Sequence, residues 1–290
     1  KREVKKVLIL FFVITGIAIV YYAAAGNISW LPFGGKNKEV RVTDKVDQLE
    51  LNLSSANVEI IPEKRQTVKA ELDGKGKISV KQKGKAIRID YSPPKIRVFS
   101  FFDTPEIKIY IPGHFDKSIS LETGSGKVEF AAGSETAMEL ENFDIELKSG
   151  QILLENLSAE KLSLEVGSGS ITAKELRAEK GEFEINSGSV RFKEYTGEMD
   201  IQLNSGSLNV GLKELEAPIS AVVNSGNLTL AVPEDSDFTL ETNIASGRVI
   251  NDFPLKIKKQ ENRKLSGTYG KGTHEIYIDI NSGKANIHKK

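Results

Sequence analysis

The sequence predicts an all-β fold, a single-chain parallel β-solenoid (β-helix) with about 19–20 residues per rung. A short phrase recurs in Val166–Ile171 (VGSGSI), Ile185–Val190 (INSGSV), Leu203–Leu208 (LNSGSL) and Val223–Leu228 (VNSGNL). The first Ser of each phrase follows the previous one after 19, 18 and 20 residues. Such a period is typical of repeat proteins, whose units are too small to bury their own apolar faces and must stack.

Apolar residues occupy fixed positions around each Ser, two and four residues before it and three and five after it. The columns before hold Leu164, Val166, Phe183, Ile185, Ile201, Leu203, Ala221 and Val223, and those after hold Ile171, Ala173, Val190, Phe192, Leu208, Val210, Leu228 and Leu230. Alternation within each half predicts a strand with one buried face. The last apolar column before Ser and the first one after it are five residues apart, which is an odd number. In an uninterrupted strand one half would therefore turn its apolar side chains outward, so the chain must bend at Ser-Gly. Each repeat is predicted to be strand, corner, strand and return turn.

The corner glycines are the structural site residues that the pattern predicts. They are Gly126, Gly150, Gly169, Gly188, Gly206, Gly226, Gly247 and Gly283. We expect positive φ or bulge conformations at these positions, including Gly188 and Gly206, because glycine reaches them without a Cβ penalty. A weaker copy near Ser55 has Ala56 at the corner and should use an ordinary conformation. The recurring Ser residues are interpreted as a stacked ladder.

The N-terminal segment predicts a membrane anchor. Residues 1–6 form a basic cytoplasmic tail, 7–25 an uncharged transmembrane helix, 26–38 a linker, and 39–290 an extracytoplasmic β-solenoid. Nineteen helical residues span roughly 28 Å, close to the hydrocarbon core of a bilayer. The alternative is a cleaved signal peptide, since Ala23–Ala25 resembles a cleavage region. Both interpretations place the domain outside the cytoplasm.

Two sections depart from the repeat. Residues 67–112 lose the phrase and contain Phe99, Phe101 and Phe102, which either cap the core or contact a membrane or partner. Lys256–Gly272 carries many charges, and Ser266-Gly267 is out of register, so this segment is predicted to be a loop and a place to look for a binding site.

Composition limits the chemistry. The 40 basic and 40 acidic residues balance, which argues against a nucleic-acid partner, and the chain has no cysteine. His114, His274 and His288 lack metal-ligand spacing, and Gly124-Ser125-Gly126 and Gly167-Ser168-Gly169 are corners and not nucleophile turns. Carboxylates such as Glu139, Glu141, Asp144 and Glu146 alternate with apolar residues, as the solvent face of a strand does. We expect no catalytic residue, cofactor or metal.

The recurring Ser-Gly-x-apolar-x-apolar phrase, a terminal Gly-rich turn followed by Ile276–Gly283 (IYIDINSG), and one N-terminal span are similar to the toast-rack family of bacterial β-strand-repeat proteins, which are regarded as candidate adhesins. The resemblance covers about Val40 to Lys290 and the anchor. It implies a repeat fold, membrane anchoring and a cell-envelope setting, and it supplies no catalytic residues.

These observations favour a membrane-anchored, extracytoplasmic and non-enzymatic binding or adhesive module at the cell membrane, and the resemblance implies a link to the envelope-stress response. Its expected partners are the membrane, through residues 7–25, and either a cell-wall polymer or a membrane protein. The alternatives are a polysaccharide-active β-helix enzyme, which would show clustered acidic and basic residues in a groove, and a self-assembling envelope scaffold, which would show flat, uncapped end rungs.

Overall fold

The structure is a computed structural model that describes residues 38–94, 104–133, 137–261 and 263–290. All regular secondary structure in these ranges consists of β-strands, so the all-β prediction is confirmed. The first ten strands are β1 (Lys38–Arg41), β2 (Gln48–Glu63), β3 (Thr67–Asp73), β4 (Lys77–Lys83), β5 (Ala86–Ser92), β6 (Glu106–Pro112), β7 (Ser118–Ala131), β8 (Met138–Leu147), β9 (Gln151–Val166) and β10 (Ser170–Ile185). The others are β11 (Ser189–Leu203), β12 (Ser207–Leu212), β13 (Ile219–Val223), β14 (Asn227–Val232), β15 (Phe238–Ile244), β16 (Arg248–Asn251), β17 (Lys256–Glu261), β18 (Lys264–Tyr269), β19 (His274–Ile280) and β20 (Lys284–Lys289).

A complete rung has three sides, as β9 shows. Its first residues follow one Ser-Gly corner, its last residues lead into the next, and a short third side lies between them. Asn156, with φ of 58°, bends the chain where the third side begins. The inward side chains of this rung are Ile152, Leu154, Leu157, Ala159, Leu162, Leu164 and Val166. The predicted return turn is therefore itself a strand segment with buried residues. We call the two longer sides the pre-corner and post-corner strands.

All four predicted apolar columns face the core. Each of their sixteen side chains is at most 2% exposed. The intervening residues are exposed, as Glu184 and Arg191 are, or half-buried, as Ser163 and Thr172 are. Period-two alternation therefore identified the inward face correctly on both sides of the corner.

The rungs stack through parallel strand pairs. Phe183 of β10, for example, is in register with Leu164 of β9 and Ile201 of β11. The order of strands in the pre-corner sheet is β4, β5, β2, β7, β8, β9, β10, β11, β13, β19, β15, β18 and β17. In the post-corner sheet it is β1, β3, β6, β2, β7, β9, β10, β11, β12, β14, β20 and β16. These pairings confirm the parallel solenoid.

The section 67–112 forms the N-terminal cap of the stack. β2 carries the first copy of the phrase, yet β5 and β6 pair with its two halves on the outer side and form the outermost parallel rung. β4 and β3 add to β5 and β6 in antiparallel fashion, and β1 adds to β3. Val68, Ala70, Ile78 and Val80 are buried in this cap.

The last copy of the phrase lies inside the stack and not at its end. β19 pairs in parallel with β13 on one side and with β15 on the other. β20 lies between β14 and β16 in the same way. The chain therefore builds its outermost C-terminal rung, β15 and β16, before it returns to fill the space below.

The prediction of a loop from Lys256 to Gly272 is wrong. This segment forms the antiparallel hairpin β17–β18, which adds to the edge of β15, and Ser266-Gly267 lies within β18. A hairpin that pairs with an open strand edge does not need apolar residues at the repeat positions, so the spacing of apolar residues could not reveal this hairpin. Three rings with centroids 4.8–5.6 Å apart pack where the hairpin joins the core, those of Phe238, Phe253 and Tyr269.

Several predictions concern residues outside the described ranges. These are the cytoplasmic tail 1–6, the anchor 7–25, the linker 26–38 apart from Lys38, and Phe99, Phe101 and Phe102. Among the residues that are described, no helix is long and apolar enough to cross a membrane.

Candidate functional site on the outer surface of the solenoid

The corner glycines do not share one backbone conformation. Gly126 and Gly150 have positive φ, 99° and 107°. Gly188 and Gly206 do not, so the expectation of a positive φ at these two positions is wrong. Ala56 also has no positive φ, as expected for the corner without glycine.

Close stacking of the backbone explains the glycines instead. The carbonyl oxygen of Gly169 accepts a hydrogen bond from the N–H of Ser189 at 3.0 Å, and a Cβ atom on Gly188 would lie only 2.6 Å from the same oxygen. Any side chain at the corner would press against the rung below. The same overlap with the corner carbonyl of the neighbouring rung occurs at Gly126, Gly150, Gly169, Gly206, Gly226, Gly247 and Gly283.

An asparagine ladder runs along the corner and was missed by the sequence analysis. Asn204 donates to the side-chain oxygen of Asn186 at 2.8 Å, Asn224 to that of Asn204 at 2.7 Å, and Asn281 to that of Asn224 at 2.6 Å. The signal was present, because Asn precedes Ser in four copies of the phrase.

The corner serines stack through their backbone. The N–H of Ser205 donates to the carbonyl of Asn186 at 2.7 Å, and the N–H of Ser225 donates to that of Asn204 at 2.7 Å. Both of these Ser residues are exposed. Next to them, Ser207 donates to the hydroxyl of Ser189 at 3.0 Å. A shallow groove of about 460 Å³, lined by Ser and Gly residues and Asn227, follows this corner across the middle rungs.

The outer side of the pre-corner sheet is acidic in the middle rungs. Glu122, Glu146, Glu165 and Glu184 are in register on four consecutive strands. Lys148 lies 2.6 Å from a carboxylate oxygen of Glu122 and 3.5 Å from one of Glu146, and its hydrogen bond to Glu122 raises the pKa of its amine. Within the described part of the chain, Glu165 and Glu184 have no cationic partner. Like charges this close repel each other, so this face carries an unneutralised negative potential.

A second acidic row lies beside the first. Asp144, Glu182 and Asp200 face outward on β8, β10 and β11, with Ser163 between the first two. Burial raises the pKa of Asp144, Lys161 lowers it and Glu182 raises it further. Lys161 also lies 3.3 Å from a carboxylate oxygen of Glu182. The row is thus only partly neutralised.

The outer side of the post-corner sheet has the opposite charge in the C-terminal rungs. The outward side chains of β12, β14, β16, β20 and the first part of β11 include Arg191, Lys193, Arg248, Lys284 and His288, together with Asn, Ser and Thr residues. None of the described outward residues of these segments is Asp or Glu. We call this surface the basic face.

The three histidines lie apart. His114 is exposed in the turn after β6, His274 begins β19, and His288 of β20 contacts the carbonyl of Lys289 with Nδ1 at 2.9 Å. Over the described ranges, no group of three or more His, Asp or Glu side chains is arranged to hold a metal ion. The described outer surface repeats charged and hydrogen-bonding groups from rung to rung.

Fold and surface together define a class, a capped β-strand-repeat solenoid with polar outer faces. The comparison with protein families agrees, since the family model described as Toastrack DUF4097 matches residues 46–288. The chain belongs to this toast-rack family. No functionally curated protein matches it significantly.

A solved structure shows the same architecture. A candidate adhesin from Bacteroides fragilis aligns with a TM-score of 0.51 at 13% identity over 87% of this chain and 95% of its own. A candidate cell adhesion protein from Clostridium sporogenes aligns with a TM-score of 0.28 at 15% identity over 88% of this chain and 99% of its own. At such identities the first likeness supports the fold alone, and the second is too low in TM-score to support an argument.

Proposed function

We propose that the chain is a non-enzymatic binding or adhesive module of the bacterial cell envelope, anchored in the membrane by residues 7–25 with its solenoid outside the cytoplasm. The observation that carries this proposal is the length of the continuous outer faces. Ten parallel strands, from β5 to β15, stack in the pre-corner sheet. At the usual strand spacing they extend for about 43 Å. Polar side chains predominate on this surface, and Val222 is an exposed apolar residue on it.

Extended, flat and repetitive surfaces suit polymers and proteins better than small molecules, which bind in enclosed pockets. The description of the Bacteroides fragilis protein as a candidate adhesin agrees with such a role. In the pre-corner sheet, the two end strands, β4 and β17, pair in antiparallel fashion and are rich in lysine, which hinders edge-to-edge assembly of copies along this sheet. This arrangement favours a binding module over a self-assembling scaffold.

The envelope-stress part of the proposal rests on the order of segments along the chain. An N-terminal anchor, a short linker and a toast-rack domain are similar to the arrangement in LiaG, a membrane-anchored protein encoded with the Lia cell-envelope-stress system. A membrane-protein partner in stress signalling is therefore proposed beside a cell-wall polymer. The proposed contacts include Phe99, Phe101 and Phe102 and the hairpin segment 256–272.

Retention on envelope material tests the binding role. Full-length protein in neutral detergent is incubated with purified cell-wall sacculi and with membranes, pelleted, and the glycan is then examined by mass spectrometry. We expect retention and an unchanged glycan. Cleavage that a single carboxylate substitution abolishes would make the chain an enzyme, and absence of retention on both materials would refute the binding role.

Topology needs a separate experiment. Protease added to wall-stripped intact cells should digest the β-domain and spare a membrane-embedded fragment. Complete protection would contradict the extracytoplasmic location, and release of the domain with a new N-terminus near Gly26 would show a cleaved signal peptide.

A further inference from the structure

Charge is segregated along the solenoid although the chain is neutral overall. Residues 118–185 contain 14 acidic and 6 basic residues, whereas residues 248–290 contain 10 basic and 4 acidic ones. Balanced composition therefore conceals two regions of opposite potential. The C-terminal rungs include the basic face, formed by outward residues of β11, β12, β14, β20 and β16.

The basic face contains an unneutralised pair of cations. Arg248 and Lys284 are register partners on adjacent strands, which places their backbones about 4.8 Å apart. In the described residues neither side chain is in an ion pair, and the same holds for Arg191 and Lys193. Like charges directly opposite each other destabilise a sheet, and a bound anion would relieve that repulsion.

Hydrogen-bonding side chains connect the two groups of cations. Lys284 is in register with Asn227 on β14, while Arg191 is in register with Asn209 on β12. Thr229 of β14 lies between Asn209 and Asn286 in the same row. The path from Arg248 to Lys193 crosses five strands, a width of about 19 Å. Cations at both ends and polar donors between them match a chain of repeating anionic groups.

The same face is poorly suited to a bilayer. Among its described outward residues the large apolar side chain is Ile250, which is 37% exposed, and no Trp, Tyr or Phe points outward. Insertion into a lipid interface uses such aromatic and aliphatic side chains. A flat, hydrophilic and cationic surface instead attracts a flexible polymer through release of its counterions.

We propose that the basic face binds a linear polyanion with phosphate-type repeating groups, laid across strands β16, β20, β14, β12 and β11. This inference rests on the proposed binding function and names its ligand class and its surface. The bound polymer contacts Arg248 and Lys284 at one end of the path and Arg191 and Lys193 at the other.

The probe is inorganic polyphosphate, added to full-length protein in neutral detergent and followed by titration calorimetry. With about four phosphate contacts, one for each cation, affinity should fall about fiftyfold between 50 and 200 mM salt. The variant R191Q/K193Q/R248Q/K284Q should bind at least tenfold more weakly. The matched control K75Q/K77Q/K81Q/K83Q removes the same charge from exposed lysines in and next to β4, at the opposite end of the stack, and should bind like the wild type. Thermal melts check that both variants fold.

The outcomes separate the two proposals. Equal weakening in both variants, or no polyphosphate binding, overturns the basic-face site. If the wild type is still retained on cell-wall sacculi in that case, the broader binding function stands, whereas loss of retention refutes both. Binding to anionic phospholipid vesicles at low salt without binding to polyphosphate would assign the face to a membrane surface and also overturn the proposal.

Discussion

The carbonyl oxygen of Gly206 accepts a hydrogen bond from the N–H of Asn227 at 3.0 Å and lies 2.7 Å from the position that a Cβ atom on Gly226 would occupy. The neighbouring corners are therefore stacked as closely as backbone hydrogen bonding allows. At Gly206 and Gly226, glycine is needed because of its small volume rather than its access to positive φ.

Substitution of Gly226 by Ala should destabilise the solenoid by about 2–3 kcal/mol, since the added methyl group overlaps the carbonyl of Gly206 and the side chain of Leu203. Gly133→Ala is the control, because its Cβ meets no atom within 4 Å. Urea unfolding measures both. Equal midpoints for the two variants would contradict the close-stacking explanation.

Asn224→Ala should lower the free energy of unfolding by about 1–3 kcal/mol. It removes the donor to Asn204 and leaves the amide of Asn281 without its acceptor. Asn227 is exposed one strand later in the same rung, and Asn227→Ala should change the free energy of unfolding by less than about 0.5 kcal/mol. Thermal melts that show no difference between the two would mean that the ladder adds no stability.

Removal of residues 274–290 should open the C-terminal end of the stack. β13 and β15, and likewise β14 and β16, would then face an empty rung, with the buried Ile276, Ile278 and Ile280 missing. We expect rapid proteolysis of the segment that follows Val223 in the truncated chain. Addition of a peptide of residues 274–290 should restore protection. A chain that lacks only Lys290 loses two hydrogen bonds and should remain protected. Equal resistance of the truncated and full-length chains would show that β19 and β20 are dispensable.

Tyr195 should make the domain sensitive to alkali. Its ring is buried and its hydroxyl donates to the carbonyl of Glu198 at 2.8 Å, and burial raises the pKa of the phenol above its ordinary value near 10. The folded state favours the protonated phenol. The free energy of unfolding therefore keeps its full value below pH 10 and falls as pH rises above 10, by about 1.4 kcal/mol per pH unit.

Tyr195→Phe cannot ionise. It should therefore be less stable than the wild type at pH 8, by about 0.5–1.5 kcal/mol for the lost hydrogen bond, and the difference should shrink or reverse by pH 11. Urea unfolding from pH 8 to 11.5 measures this change, with Tyr277→Phe on the outer face as the control. A difference that is constant with pH would exclude Tyr195 as the group responsible.

Local patterns determined the inward faces and the corners of this protein. Side chains alternate across a strand, so the positions of Phe183 and Ile185 relative to Ser187 are sufficient to predict burial without knowledge of any partner. The same reasoning predicted the parallel solenoid, because no single repeat can bury its own apolar columns. The asparagine ladder could also have been found, since Asn186, Asn204, Asn224 and Asn281 hold the same place in the phrase.

The tertiary structure alone decided the order of rungs at both ends. Because the copies share one apolar pattern, the columns of β19 suit pairing with several rungs, and its position between β13 and β15 follows from closure of the whole stack. The bend at each corner also decides which sheet carries each charge. Glu184 and Arg191, only seven residues apart in the chain, lie on different outer faces. The opposite potentials of these faces therefore arise from the three-dimensional path of the chain and are hidden in its balanced composition.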